Sequence, residues 1–306
     1  MQTLRIVGPP VLALLAVLAI DYLTWRRGLL PCGFQLPSAP GSSGLIPALL
    51  RRGGALIILW LVLWVGVFEP LGALGLDVEL DLSQLRAPQL FLLHGLFAFC
   101  LVAWYLLGFV GVGSRPRAAT ESWTAQLGWR TRSIGREIGI GLIVGVAAWL
   151  AVLGVSVAIG LAIWWLGGEE LLPTEPPELI PWIAALPIAL RVAISLSAGV
   201  AEEAFFRGFL QPRVGIVLST GLFVLAHASY EQPIMLVGIA FLSLIYGGLV
   251  YWRQNIWPAI AAHALFDTIQ LLVVIPAALK ILPEEGEGVL VPVAQVVGIG
   301  RVIGCG

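Results

Sequence analysis

Charged side chains are scarce in this sequence. They make up 11% of the chain, whereas hydrophobic residues make up 59%. A soluble domain typically carries about 25% charged residues. The scarcity therefore excludes a large soluble domain and is typical of a chain dissolved mostly in lipid. The formal net charge is −1, so the overall charge does not favour binding to nucleic acid. We expect an integral membrane protein that contacts the lipid bilayer and no nucleic acid.

Cysteine is also rare. The three cysteines, Cys32, Cys100 and Cys305, are far apart and form no Cys-x-x-Cys pair. This spacing argues against both a disulfide framework and a metal site built from cysteine thiolates.

Long apolar stretches, in contrast, follow one another along the whole chain. About 20 apolar residues are needed to cross a bilayer as a helix, and the apolar spacing is helical throughout. The sequence therefore predicts an all-α polytopic transmembrane helix bundle of eight or nine spans, the last one short and glycine-rich. The predicted spans are 7–25, 45–68, 89–112, 135–166, 180–210, 214–230, 234–252, 257–281 and 288–303.

The segments between these spans alternate in charge. Arginines fall in every second loop, and acidic residues dominate the loops between them. The positive-inside rule assigns the arginine-bearing loops to the cytoplasm. These arginines are Arg26, Arg27, Arg51, Arg52, Arg115, Arg117, Arg130, Arg132, Arg136, Arg213 and Arg253.

A first polar cluster interrupts the predicted span 180–210. Glu203 and Arg207 are spaced i, i+4 with the glutamate first, an order that favours an ion pair on a helix. Glu202 has no such partner in sequence, which leaves it available as a general base. We interpret Glu202 as the base and Glu203–Arg207 as an orienting pair. The alternative is a neutralised helix end at the cytoplasmic interface.

Histidines mark two later spans. His227 is a lone histidine among apolar residues, and His263 shares a helix face with Asp267. A carboxylate in that position fixes an imidazole tautomer or helps to ligate a metal. Each of these residues alone has a structural interpretation. His94, in the third span, has no nearby partner and is interpreted as structural.

One shared site explains these separate polar insertions best. Each polar group in a span costs at least about 2.5–3.5 kcal/mol at the helix centre on insertion scales, and such residues face the bundle interior or a water-filled cavity. The sequence thus predicts an intramembrane polar cavity in the C-terminal half.

Three motifs in this half resemble those of the CAAX protease and bacteriocin-processing (CPBP) family of intramembrane endopeptidases, in CAAX prenyl protease 2-like form. The resemblance covers about residues 180–282, and the first four spans carry none of it. It implies N-terminal membrane-spanning helices over 1–170 and a protease core over 171–306. The motifs are Glu202-Glu203-x-x-x-Arg207, Phe223-x-x-x-His227 and His263-x-x-x-Asp267.

The resemblance also implies roles for these residues. In the family, the residues at the positions that match Glu202 and His227 activate a water. The residues at the positions that match His263 and Asp267 stabilise the oxyanion. The last position is often asparagine, and an ionised aspartate cannot donate a hydrogen bond to an oxyanion. The family is often labelled metalloprotease, and Glu202, His227, His263 and Asp267 are possible zinc ligands. We favour the metal-free glutamate mechanism.

The resemblance therefore implies an intramembrane endopeptidase acting on a peptide or membrane-protein substrate. A bacterial plasma membrane is the expected location, with the active-site cavity toward the cytoplasm. A non-catalytic scaffold or immunity-type peptide-binding protein is the main alternative. A proton-coupled transporter would also bury Glu, His and Arg, but no two-fold repetition of segments is present.

Overall fold

The computed structural model describes residues 2–36, 44–73, 87–109, 122–168, 179–230 and 232–281. These residues form helices and their connections, with no strand among them. In chain order the helices are α1 (Gln2–Arg26), α2 (Leu45–Leu63), α3 (Leu92–Phe109), α4 (Trp123–Gln126), α5 (Ile134–Trp165), α6 (Leu179–Ala185), α7 (Ile188–Glu202), α8 (Ile216–Leu225), α9 (Pro233–Arg253) and α10 (Trp257–Ile269).

Three helices continue through a wider π-helical turn and then resume as α-helix. Their continuations are Trp64–Phe68 and Glu69–Ala73 after α2, Glu203–Leu210 and Gln211–Val214 after α7, and Gln270–Val274 and Ile275–Ile281 after α10. Short 3₁₀ turns cover Cys32–Phe34, Ala87–Phe91 and Ala228–Tyr230.

Local sequence explains several helix boundaries. Ser133 caps α5, since its side chain accepts a hydrogen bond from the backbone N–H of Arg136. Pro258 lies in the first turn of α10, where its missing N–H costs nothing. Gly215 separates the end of the α7 segment from α8 with φ +89°, a conformation that glycine adopts most readily.

Six helices in the described part of the chain are long and apolar enough to cross a membrane. They are Ile6–Arg26, Leu45–Leu71, Gln89–Gly108, Ile134–Trp165, Pro233–Arg253 and Trp257–Lys280. Many of their large apolar side chains are exposed, as lipid contact requires; Ile143 and Trp165 are examples. The chain is an integral membrane protein whose described residues form helices and their connections.

The predicted total of eight or nine spans is not confirmed. The predicted span 180–210 corresponds to α7 with its π-helical continuation. Together these two segments carry three buried charged residues, Glu202, Glu203 and Arg207. The predicted span 214–230 corresponds to α8, an apolar helix too short to cross a bilayer by itself. The ninth prediction, 288–303, lies outside the described residues.

Small residues bring α5, α7 and α10 close together. A Cβ on Gly145 of α5 would lie 3.0 Å from the backbone of Ala262, and one on Gly199 of α7 would lie 3.0 Å from the Ile260 carbonyl. Such close approach of backbones is how membrane helices gain contact. Helices from the predicted segment 1–170 thus pack directly on those that carry the polar residues of 171–306.

The basic residues gather at one end of this bundle, here called the arginine-rich end and defined by Arg27, Arg52, Arg213 and Arg253. Arg27 donates to the Pro212 carbonyl at 2.7 Å. Arg253 pairs with Glu137 at 2.6 Å, which ties the end of α9 to the start of α5. The helix connections at Gly215 and at 254–256 lie at this end.

Candidate active site

A π-helical turn presents the first carboxylates of the site. Glu202 ends the regular part of α7, and the eight residues Glu203–Leu210 are all buried. The wider turn is shown by the Gln211 N–H, which bonds to the carbonyl of Phe206 five residues earlier. Ser219 of α8 donates to the same carbonyl at 2.7 Å and so supports the distortion. Such π-bulges frequently occur at functional sites.

Glu203 forms the buried charged centre of the site. Its Oε1 lies 3.0 Å from Nη1 of Arg207 and 2.8 Å from Nδ1 of His263. Glu203 is 0% exposed and Arg207 is 2% exposed. The guanidinium also lies 4.1 Å from the ring centre of Phe223, a cation–π contact. Because an ionised carboxylate only accepts hydrogen bonds, Nδ1 of His263 is the donor.

Glu202 lies between two further imidazoles. Its Oε1 is 3.6 Å from Nε2 of His94, and its Oε2 is 4.0 Å from Nε2 of His227. Oε2 is buried and has no hydrogen-bond partner among the described residues. Glu202 and Glu203 therefore occupy different environments: the arginine neutralises Glu203, whereas histidines flank Glu202.

The backbone fixes the tautomer of His227. Its Nδ1 lies 2.8 Å from the carbonyl of Phe223, and a carbonyl can only accept. The proton of the neutral ring is thus on Nδ1, and Nε2, the atom nearer Glu202, carries the lone pair. The ring of Phe223 lies 4.6 Å from that of His227 and holds its orientation.

His263 and Asp267 lie on one face of α10. The His263 Nε2 is 3.5 Å from Oδ2 of Asp267, and Nδ1 is already bonded to Glu203. No group of three or more His, Cys, Asp and Glu side chains in the described ranges is arranged to hold a metal ion. As they stand, Glu202, His227, His263 and Asp267 do not fit a zinc site.

A tyrosine completes this side of the site. The ring of Tyr246 in α9 stacks on His263, with 5.5 Å between ring centres and 23° between planes. Tyr246 is 1% exposed, and its hydroxyl has no hydrogen-bond partner among the described residues. A buried hydroxyl left unpaired is costly, so this donor is available to a bound molecule.

The polar groups line one end of a cavity of about 510 Å³. Histidines 94, 227 and 263, with Glu202, Tyr246 and Asp267, form its deep polar part, and apolar side chains such as Val152, Ile194 and Leu242 line the rest. Toward its other end the lining includes Ile183, Gln232, Ile234 and Ile275. An apolar cavity with a few convergent polar groups is typical of a ligand site.

The structure thus brings all six sequence-predicted residues into one cluster. Two further side chains, His94 and Tyr246, lie beside this cluster. His94 was interpreted as structural, yet it faces Glu202 from α3. Tyr246 lies outside the sequence prediction, because a tyrosine in an apolar helix carries no distinctive signal. Two of the chain's three histidines in consecutive apolar stretches did signal a site, and the same argument could have included the third.

A comparison with known protein families finds a match over the segment that carries the site. Residues 184–269 match the family model described as Rce1-like, type II CAAX prenyl endopeptidase Rce1-like. This segment of the chain is similar to the CAAX protease family, and the match contains every motif residue from Glu202 to Asp267. No curated protein and no solved structure matches the chain.

Proposed function

We propose that the protein is an intramembrane endopeptidase in which Glu202 and His227 activate a water for attack on a peptide carbonyl. One observation carries this proposal: Glu202 Oε2 and His227 Nε2 lie 4.0 Å apart beside the cavity. Both atoms are hydrogen-bond acceptors, and their separation exceeds a direct hydrogen bond. A water that donates one hydrogen to each would bridge such a pair.

The hydrolysis then proceeds by general acid–base catalysis. The water oxygen bonds to the carbonyl carbon while Glu202 takes the water proton, and the carbonyl π electrons move to oxygen. The resulting tetrahedral oxyanion collapses and breaks the C–N bond. Glu202 returns the proton to the leaving nitrogen, so one water is consumed for each carboxylate and amine formed.

Donors for the oxyanion come from the other wall of the cavity. His263, held between Glu203 and Asp267, can carry a second proton on Nε2 because both neighbours are carboxylates. The Tyr246 hydroxyl is a second donor beside it. Asp267 accepts rather than donates when ionised, so its role here is to orient His263. Arg207 neutralises Glu203, so that the Glu203 carboxylate does not compete with Glu202 for the water proton.

Cleavage by the purified protein in lipid nanodiscs tests this function. The wild type is compared with Glu202→Gln and with Glu69→Gln, a matched change of an exposed carboxylate outside the cavity. Cleavage of a membrane-peptide library is read by mass spectrometry in H₂¹⁸O. We expect one ¹⁸O in each new carboxyl terminus for wild type and Glu69→Gln, and a rate lower by about 10²–10⁴ for Glu202→Gln.

Other outcomes would contradict the proposal in different ways. Cleavage that stops on chelation, with stoichiometric zinc in the active protein, would refute the metal-free mechanism. Cleavage that survives Glu202→Gln would refute the assigned base. Peptide binding without cleavage by the wild type would favour the scaffold alternative.

A further inference from the structure

His94 lies outside the segment matched by the protease family, yet it contacts the assigned base. It belongs to α3, whereas the family match begins at residue 184. Its ring nitrogen Nε2 is 3.6 Å from Glu202 Oε1, slightly closer than His227 is to Oε2. The N-terminal helices therefore contribute a residue to the site.

A hydroxyl determines which nitrogen of His94 carries the proton. The Ser197 Oγ donates its single hydrogen to the Ile194 carbonyl at 3.0 Å. It therefore accepts from His94 Nδ1, which lies 2.9 Å away. Nε2 is left facing the carboxylate. Two acceptors would repel at this distance, so a proton lies between His94 and Glu202.

We propose that His94 is a positioning residue that shares a proton with Glu202 and fixes Oε1, leaving Oε2 toward His227 and the water. The Ser197 hydroxyl holds the ring of His94 in this orientation. This role rests on the proposed function. It predicts that loss of His94 mainly affects the chemical step, because His94 acts through Glu202.

Substitutions that differ in hydrogen bonding test the proposal. His94→Leu should lower kcat at least tenfold and change KM by less than threefold. His94→Gln retains an amide donor at the level of Nε2 and should recover most of that loss. Ser197→Ala should lower kcat less than His94→Leu does. Equal loss in the Leu and Gln variants, or an unchanged kcat in His94→Leu, would overturn the proposal.

A second measurement needs no cleavage and so separates this proposal from the proposed function. Dicyclohexylcarbodiimide modifies protonated carboxyl groups in apolar surroundings, and mass spectrometry locates the product. His94→Leu removes the partner that shares this proton with Glu202, so it should raise the modification rate of Glu202 severalfold. An unchanged rate would mean that no proton is shared. Thermal unfolding of both variants checks that the bundle remains folded.

The position of the cavity carries a second, independent inference about where the substrate approaches. Along α9, Tyr246 lies 7 residues, or about 10 Å, from Arg253, and Ile234 lies 12 residues, or about 18 Å, in the other direction. The cavity lining runs from Tyr246 to Ile234, not toward Arg253. The same direction is seen on α10, from His263 to Ile275. The cavity extends away from the arginine-rich end.

Packed aromatic side chains close the site on its other side. Phe205, Phe206 and Phe209 of the π-helical turn are 0% exposed, as is Trp104 of α3. Trp104 and Phe209 meet edge to face at 4.8 Å, and the Arg213 guanidinium lies 4.1 Å from the Phe209 ring. This layer separates the polar cluster from the arginine-rich end.

The arginines orient the bundle in the membrane. Arg191, which lies toward the opposite end, donates to the Leu271 carbonyl within the bundle, at 2.9 Å. By the positive-inside rule the arginine-rich end is cytoplasmic. With that end in the cytoplasm, the cavity lies on the extracytoplasmic side of the polar cluster. We infer that the cavity opens toward the extracytoplasmic side and receives extracytoplasmic peptide segments. The inference about peptides rests on the proposed function.

Cysteine labelling in intact cells tests this orientation without any need for activity. In a variant lacking Cys32, Cys100 and Cys305, single cysteines are placed at Ser156 in the cavity lining, at exposed Ser229 and, as the matched control, at exposed Thr124 of α4. A membrane-impermeant maleimide added outside should label S156C and S229C, and should label T124C only after permeabilisation. The reverse pattern, or labelling of all three from outside, would overturn the inference.

Discussion

Removing Glu203 should destabilise the protein far more than removing its neighbour Glu202. Glu203→Ala leaves the Arg207 guanidinium, 2% exposed, without a carboxylate, while the rings of Phe206, Phe223 and Tyr246 remain near it. Breaking a buried ion pair in this way costs about 3–5 kcal/mol. The carboxylate of Glu202 faces imidazoles, which can become neutral when it is lost. Glu202→Ala should therefore cost only about 1 kcal/mol, a typical value for a substitution.

Thermal unfolding in nanodiscs measures the difference. At about 2–4 °C per kcal/mol for a chain of moderate size, Glu203→Ala should lower Tm by on the order of 10 °C and Glu202→Ala by a few degrees. Both variants should lose peptidase activity. Glu202→Ala loses the base, and Glu203→Ala removes the acceptor that holds His263.

A double variant provides the control. Glu203→Leu combined with Arg207→Met replaces the buried pair by apolar side chains of similar size, which is often neutral or stabilising. It should recover most of the lost Tm and none of the activity. Equal loss of Tm in Glu202→Ala and Glu203→Ala would refute the division of roles between the two carboxylates.

Three further changes test other parts of the site and the fold. Tyr246→Phe should lower kcat by about 10²–10³, the usual effect of losing one oxyanion donor, and should raise Tm because a buried unpaired hydroxyl is removed. An unchanged kcat would exclude the hydroxyl from catalysis. Asp267→Asn should keep peptidase activity within about tenfold of the wild type, because the Asn amide can also orient His263; a loss as large as that of Glu202→Gln would give Asp267 a different role. Gly145→Leu should lower Tm, because its side chain would meet the backbone of Ala262 on α10; an unchanged Tm would contradict the close packing of α5 on α10.

Helical periodicity predicted the contacts that are local in sequence. Glu203 and Arg207 form a pair, and His263 lies near Asp267, because residues four apart share a helix face. The bond between Glu203 and His263 joins residues 60 positions apart. No pattern within one helix specifies such a contact, which depends on how α7 packs against α10.

The span count and the partner of His94 could not be predicted for related reasons. An apolar window cannot distinguish a helix that crosses the bilayer from a ten-residue helix such as α8 followed by an apolar turn. His94 has no polar neighbour in its own helix, so its partner Glu202 is visible only in the packed bundle. Both misses concern tertiary contacts rather than local propensity.

The π-helical turn after Glu202 has a consequence for how this helix can change by insertion or deletion. A wide turn of this kind accommodates one extra residue within an otherwise regular helix. Deleting Phe205 would restore the regular α-helix. The part of the helix before the turn would then rotate by about 100° relative to the part after it. Glu202 would then turn away from His227, while Gln211, bonded to the Gly247 carbonyl, would stay in place. The direction of the Glu202 carboxylate thus depends on the number of residues in this one turn. A one-residue deletion there would abolish cleavage without removing any polar residue of the site.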